Sequence, residues 1–79
     1  MVVNLEVFEQ SLRDGRFRDA EIQCKGFFLA HGDDNCAVLD RVSVLHCLAQ
    51  ALEAQGKLGE AFYARIRAKE ILDNLAVIS

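Results

Sequence analysis

Proline occurs at none of the 79 positions of this chain, and tryptophan is missing too. Without proline, no backbone position lacks its donor, so nothing covalent interrupts a helix. Aromatic residues make up only 8%, and no segment alternates apolar and polar residues for long. The second fact argues against a sheet. There is no run of ~18 uncharged apolar residues, which argues against a membrane span and so against membrane insertion. Basic charge is scarce: nine Lys and Arg face 12 Asp and Glu, for a net charge of −3. A dedicated nucleic-acid binder needs the opposite balance to displace counterions from phosphates, so no nucleic-acid partner is expected.

Cysteine is limited to Cys24, Cys36 and Cys47. An odd number with no CxxC pair does not make a disulfide framework or a usual zinc module. The three read as small buried hydrophobes in a reducing, intracellular setting, cytoplasmic with a nuclear one still open. The first residues, Met1-Val2-Val3-Asn4-Leu5-Glu6, have no basic flank, so no secretory signal is expected. What the chain does have is 52% apolar and 27% charged residues. That suits one small folded domain, residues 1–79, which buries only ~60% of its unfolded surface and is marginally stable.

Good helix formers dominate: Ala, Leu, Glu, Gln, Arg and Lys. Apolar residues recur three and four apart in four stretches: Leu5, Phe8 and Leu12; Phe17, Ala20, Cys24, Phe27 and Phe28; Val38, Val42, Leu45, Ala49 and Leu52; Leu58, Ala61, Phe62, Ala68, Leu72 and Leu75. Gly15 and Gly56 close the first and third stretches. His31-Gly32-Asp33-Asp34-Asn35 can stop the second and cap the next. The expected fold class is all-α: four helices joined by short connections, hence two consecutive antiparallel hairpins at about 2–31 and 36–77.

The hairpins repeat one another. Gly15-Arg16-Phe17-Arg18-Asp19-Ala20 aligns with Gly56-Lys57-Leu58-Gly59-Glu60-Ala61, 41 positions later and at the same inter-helix turn. Glycine supplies a left-handed reversal. The bulky residue two places on is expected to plug the base of the hairpin. Alanine one turn later lets two backbones approach, and the acid beside it favours the positive end of the helix dipole.

On these residues the chain resembles the tetratricopeptide repeat (TPR) family, as two repeats of a longer type forming a TPR-like α-α superhelix. Leu45, Leu48, Ala49 and Leu52, then Gly56, Leu58, Ala61 and Ala68, look like the family's signature in the second hairpin. Val7, Gly15, Phe17 and Ala20 carry it in the first. Departures are Arg65 for the usual aromatic, the missing closing proline, Phe8 and Phe27 at small positions, and Asn4 and Ser11 at large ones. The period of 41 exceeds the usual ~34 and implies a longer third helix, about 36–55. Long-helix relatives of this kind resemble kinesin light chains, polarity adaptors and bacterial peptide-sensing regulators, all recognition proteins.

The resemblance implies a non-catalytic interaction or scaffold module, with a protein or peptide as its partner. It further implies a groove lined by the first helix of each hairpin: Val2, Leu5, Glu6, Glu9 and Arg13, then Ser43, His46, Cys47, Gln50 and Glu53. Glu6 and Glu9 would repel an anion there, so a basic or apolar segment is expected rather than an acidic C-terminus. Two repeats are fewer than the roughly three such arrays usually need. The last helix also places Phe62, Tyr63, Ile66, Ile71, Leu72, Leu75, Val77 and Ile78 around most of its circumference. Scattered exposure is normal for a short protein, but Tyr63, Ile66, Ile71, Leu75 and Ile78 are read as a docking surface. It would serve another copy, another subunit or a missing segment. A peptide-sensing regulator and the N-terminal segment of a multisubunit ubiquitin-ligase scaffold are the alternatives.

Catalytic readings are weaker. His31, Cys36, His46 and Cys47 could be assembled on paper as a zinc site, but adjacent helical residues point ~100° apart, which separates His46 from Cys47. Cys36 and His31 have no third group. Asp33-Asp34-Asn35 lacks the glycine and glutamate of a calcium loop. No cofactor motif is present, so no cofactor is expected.

Overall fold

The computed structural model describes residues 5–31 and 38–78, without the side chains of residues 31, 38–39 and 75–78. Four helices follow in order: α1 (Glu6–Arg13), α2 (Phe17–His31), α3 (Val38–Ala54) and α4 (Leu58–Ile78). Among the described residues there is no strand, and no helix is long and apolar enough to cross a membrane. The fold is all-α, as the periodicity implies. The connection at 32–37, with its candidate caps, lies outside the described residues.

The two glycine turns are built alike. Gly15 has φ 77° and Gly56 φ 80°. Around each, the same bonds recur 41 positions apart: Arg16 N–H donates to Ser11 O and Lys57 N–H to Leu52 O, both at 2.9 Å. Gly15 N–H reaches Leu12 O at 3.2 Å, and Gly56 N–H reaches Glu53 O at 3.0 Å. This is the Schellman termination, which uses orphan carbonyls at the helix end and needs a left-handed residue. The sequence repeat is therefore a repeat of backbone geometry.

An added Cβ would meet nothing within 4 Å at either turn glycine, nor at Gly26 inside α2. Space does not separate these sites; backbone conformation does. Gly56→Ala should cost about 1–2 kcal/mol, because left-handed backbone strains an L-residue. Gly26→Ala should stabilise by about 1 kcal/mol through helix propensity. Opposite shifts in urea midpoint would confirm the distinction, and equal shifts would refute it.

Packing follows chain order. α1 packs on α2, α2 on α3, α3 on α4, and α1 also on α3. α3 is central and is buried around much of its surface, through Val42, Val44, Leu45, Cys47, Leu48, Ala49, Ala51 and Leu52. The molecule measures 37 × 28 × 19 Å, and its shortest axis is two helix diameters of ~10 Å. Ala20 and Ala61 are 0% and 1% exposed, as close helix approach requires. The bulky partner position behaves differently. Phe17 is half-buried, but Leu58 is 66% exposed, so no leucine plugs the second hairpin. The inner face of α4 is made instead of Ala61, Ala64, Ala68 and Ile71, and Leu58, Phe62 and Leu72 point outward.

The first hairpin accommodates its unusual residues in pairs. Phe8 and Phe27 occupy the positions of Ala49 and Ala68 and meet edge to face, with ring centroids 6.2 Å apart. Ser11, 1% exposed, takes the place of Leu52 and donates its hydroxyl to Gln23 Oε1 at 3.0 Å. A buried hydroxyl is tolerable when so satisfied.

Candidate functional site

α3 presents two nearly opposite faces to two concavities. Ser43, His46, Cys47 and Gln50 turn one way, while Arg41, Leu45, Leu48 and Leu52 turn about 180° away, counting 100° per residue. On the first face lies a groove of about 500 Å³ between α1 and α3, lined by Leu5, Glu9, Leu12, Arg13 and the four α3 residues. It gathers seven sequence-predicted groove residues: Leu5, Glu9, Arg13, Ser43, His46, Cys47 and Gln50. Two others stand elsewhere. Glu6 borders a smaller depression with Val7, Gln10 and Arg16. Glu53 turns toward α4, where Arg65 Nε donates to its Oε1 at 2.9 Å. Val2 lies outside the described residues.

The groove is not acidic, unlike the expectation from Glu6 and Glu9. The remaining carboxylate, Glu9, sits 3.7 Å from the guanidinium of Arg13 one turn on. The wall is then formally neutral, with His46 exposed and Cys47 buried. Burial pushes the thiol of Cys24 up to about 12, and the charge of Cys47 adds to this. Burial, then the carboxylate of Glu9, raises Cys47 as well. Neither is an activated nucleophile, since thiolate character is what makes cysteine reactive. His31 and Cys36 are beyond the described side chains, and no three metal-ligating groups converge among those described.

The second concavity was not anticipated. A cleft of about 510 Å³ runs between α2 and α4 with α3 as its floor. Its wall is Phe28, Leu45, Leu48, Leu52, Tyr63 and Ile71, and its rim carries Lys25, Arg41, Arg67 and Glu60. Sequence periodicity treats the leucines as core, and all three are buried even though the separation of α2 from α4 brings them to the cleft wall.

Glu21 was missed as well. Although 6% exposed, its carboxylate accepts from Lys25 Nζ at 2.6 Å, Gln55 Nε2 at 2.8 Å and Lys57 Nζ at 3.1 Å. Gln55 and Lys57 belong to the second glycine turn, so Glu21 clamps one hairpin to the other. Gln55 Nε2 also lies 3.4 Å from Phe17 O. The sequence signal was an acid lying between Phe17 and Cys24 on the apolar stripe of α2.

The predicted docking residues divide. Tyr63 is 65% exposed and Ile66 is at the margin of exposure, while Ile71 is half-buried against the core. The side chains of Leu75 and Ile78 lie outside the described residues. Exposed Phe62 and Leu58 complete the outward stripe with Ile66, four residues apart on α4.

In comparison with known proteins, the chain matches no family model, no curated protein and no solved structure.

Proposed function

We propose that this chain is a non-catalytic, TPR-like interaction module that adds a partner helix or helical hairpin to its last hairpin, as a subunit of a larger assembly. One observation carries the reading. The positions that fasten the first hairpin to the second, Phe17 and Glu21, recur 41 residues later as Leu58 and Phe62, each 66% exposed. Among the described residues, α4 packs on α3 alone. The surface that receives a neighbour in the first hairpin is therefore open and apolar in the second, as at the end of a stacked array.

The match is partial, and this says something about the partner. Cys24 and Phe28 become Arg65 and Lys69, so an incoming helix must offer apolar groups to Leu58 and Phe62 and polar ones beside them. The neutral α1–α3 groove is the second surface, suited to an extended peptide. The cytoplasmic assignment belongs to this reading and is supported by the unpaired, buried Cys24 and Cys47.

Light scattering over a range of concentrations tests the main claim. The intact protein should associate reversibly, and Phe62→Glu should stay monomeric with an unchanged urea midpoint. A wild type that is monomeric throughout, or a Phe62→Glu variant that associates equally well, would sink it.

A further inference from the structure

We propose that the neighbour on the outer face of α4 is a second copy of this chain, bound antiparallel about a two-fold axis through Phe62. The inference rests on the reading above, in which that face is open to a partner, and it names the partner and its register.

The stripe on α4 reads the same in both directions. Leu58, Phe62 and Ile66 all reach solvent and stand at −4, 0 and +4 about Phe62. Four residues rise about 6 Å, so turning the helix end for end about Phe62 returns large apolar side chains to the same heights. Leu58 of each copy then meets Ile66 of the other, and the two Phe62 rings meet on the axis. An isologous interface needs this self-complementarity. Rows of residues four apart are also the ridges that interdigitate in the commonest helix crossing.

Charge fixes the direction. A parallel pair would set Arg65 and Lys69 level with their own counterparts and align the two helix dipoles. The antiparallel pair sets the two Arg65 residues six positions apart, about 9 Å along the axis. Each then falls opposite Gly59, which has no side chain to displace it from Glu53.

The other way to add a second copy is head to tail, and the repeat shows why it fits badly. There, α1 of the next copy would take the place that α3 takes against α2. Gln55 and Lys57 bond Glu21, and Ala51 and Leu48 lie one and two turns before Gln55 on the same face. Their counterparts 41 positions earlier are Asp14, Arg16, Gln10 and Val7. Phe62 stands in the place of Glu21, so its ring would cover the ion pair that Asp14 and Arg16 form at 3.6 Å. It would also cover the bond from Gln10 Nε2 to Asp14 Oδ1 at 3.0 Å. Taking those charges out of water against a phenyl ring is unfavourable. Tail therefore does not match head, and a closed pair is favoured over an open chain.

The stripe is only about 12 Å long, so the interface belongs with weak encounters below ~1,200 Å². Sedimentation equilibrium from about 20 μM to about 1 mM should show a mass that rises toward two chains and stops there. Register is read by mixing isotope-labelled wild type with unlabelled chains carrying a nitroxide at Lys69→Cys, in a Cys36→Ser background. Cys24 and Cys47 are buried with raised pKa values and escape the tag. Position 69 lies seven past Phe62, so amide broadening in the labelled copy should be strongest seven before it, at residues 53–57. Broadening centred on residue 69 would mark a parallel pair, and broadening on α1 a head-to-tail stack. Either result, or masses beyond two chains, overturns the two-fold pair while leaving the open face of α4 as a partner site. A wild type that stays monomeric at every concentration ends both. The mass measurement uses the unmodified chain, so a tagged variant that fails to fold does not blunt the test.

Discussion

Replacing Glu21 with glutamine should destabilise the protein by about 2–3 kcal/mol at neutral pH and flatten its stability profile in acid. The bond from Lys25 is the largest influence on this carboxyl. Gln55 and Lys57 assist, and together they outweigh the cost of burial and hold it near pH 2 against an ordinary 4.5. Each pH unit of such a shift is worth about 1.4 kcal/mol. Below pH 4.5 the unfolded chain takes up a proton at this site while the folded one still refuses it. Unfolding therefore gains free energy as pH falls, and the contribution held above pH 4.5 is lost on the way to about 2. The same bond raises the pKa of Lys25. Its part of the contribution is present below the usual lysine value and is lost as pH rises through the higher folded one. Urea melts of wild type and Glu21→Gln from pH 2 to 7 supply the check. If the two curves fall in parallel through acid, Glu21 is not the clamp.

The clamp also marks what a sequence of this kind conceals. Helix positions, the two glycine reversals and the buried alanines were legible because each rests on neighbours in the chain: a 3.6-residue stripe, a left-handed stop, a small side chain one turn later. Glu21 depends on Gln55 and Lys57, 34 and 36 residues away. Locally it is one more acid on a helix. The misplacement of Glu53 has the same origin. Its helical position allows either flank of α3, and the presence of Arg65 on α4 settles the choice. Leu58 was expected to plug its hairpin because Phe17 sits at the matching position. Phe17 has the second hairpin beside it, though, and nothing follows α4 among the described residues. Repetition carried over local geometry faithfully. It failed where the two copies have different neighbours, and those are the places where a partner or ligand would act.

The largest loss is expected from Phe27→Ala, at about 3–5 kcal/mol. Phe27 is 6% exposed, meets Phe8 at 6.2 Å and lies 5.3 Å from the ring of Phe28. A chain of this length has roughly 4–12 kcal/mol in all, so the variant should be partly unfolded at room temperature or melt more than ~12 °C lower. The matching position of the second hairpin predicts the opposite chemistry. Ala68 and Ala49 are both 0% exposed, and Ala68→Phe should cost about 1–3 kcal/mol by overfilling a contact made for small side chains. One residue type is thus required at one copy of the position and excluded at the other, because each hairpin fixes its helix separation with a matched pair. Phe8→Ala combined with Phe27→Ala should lose less than the sum of the single changes, by about 0.5–1.5 kcal/mol, since the second change removes a contact already broken. Strict additivity in thermal melts would mean that the two rings do not act on each other, and hairpin spacing would then need a different cause.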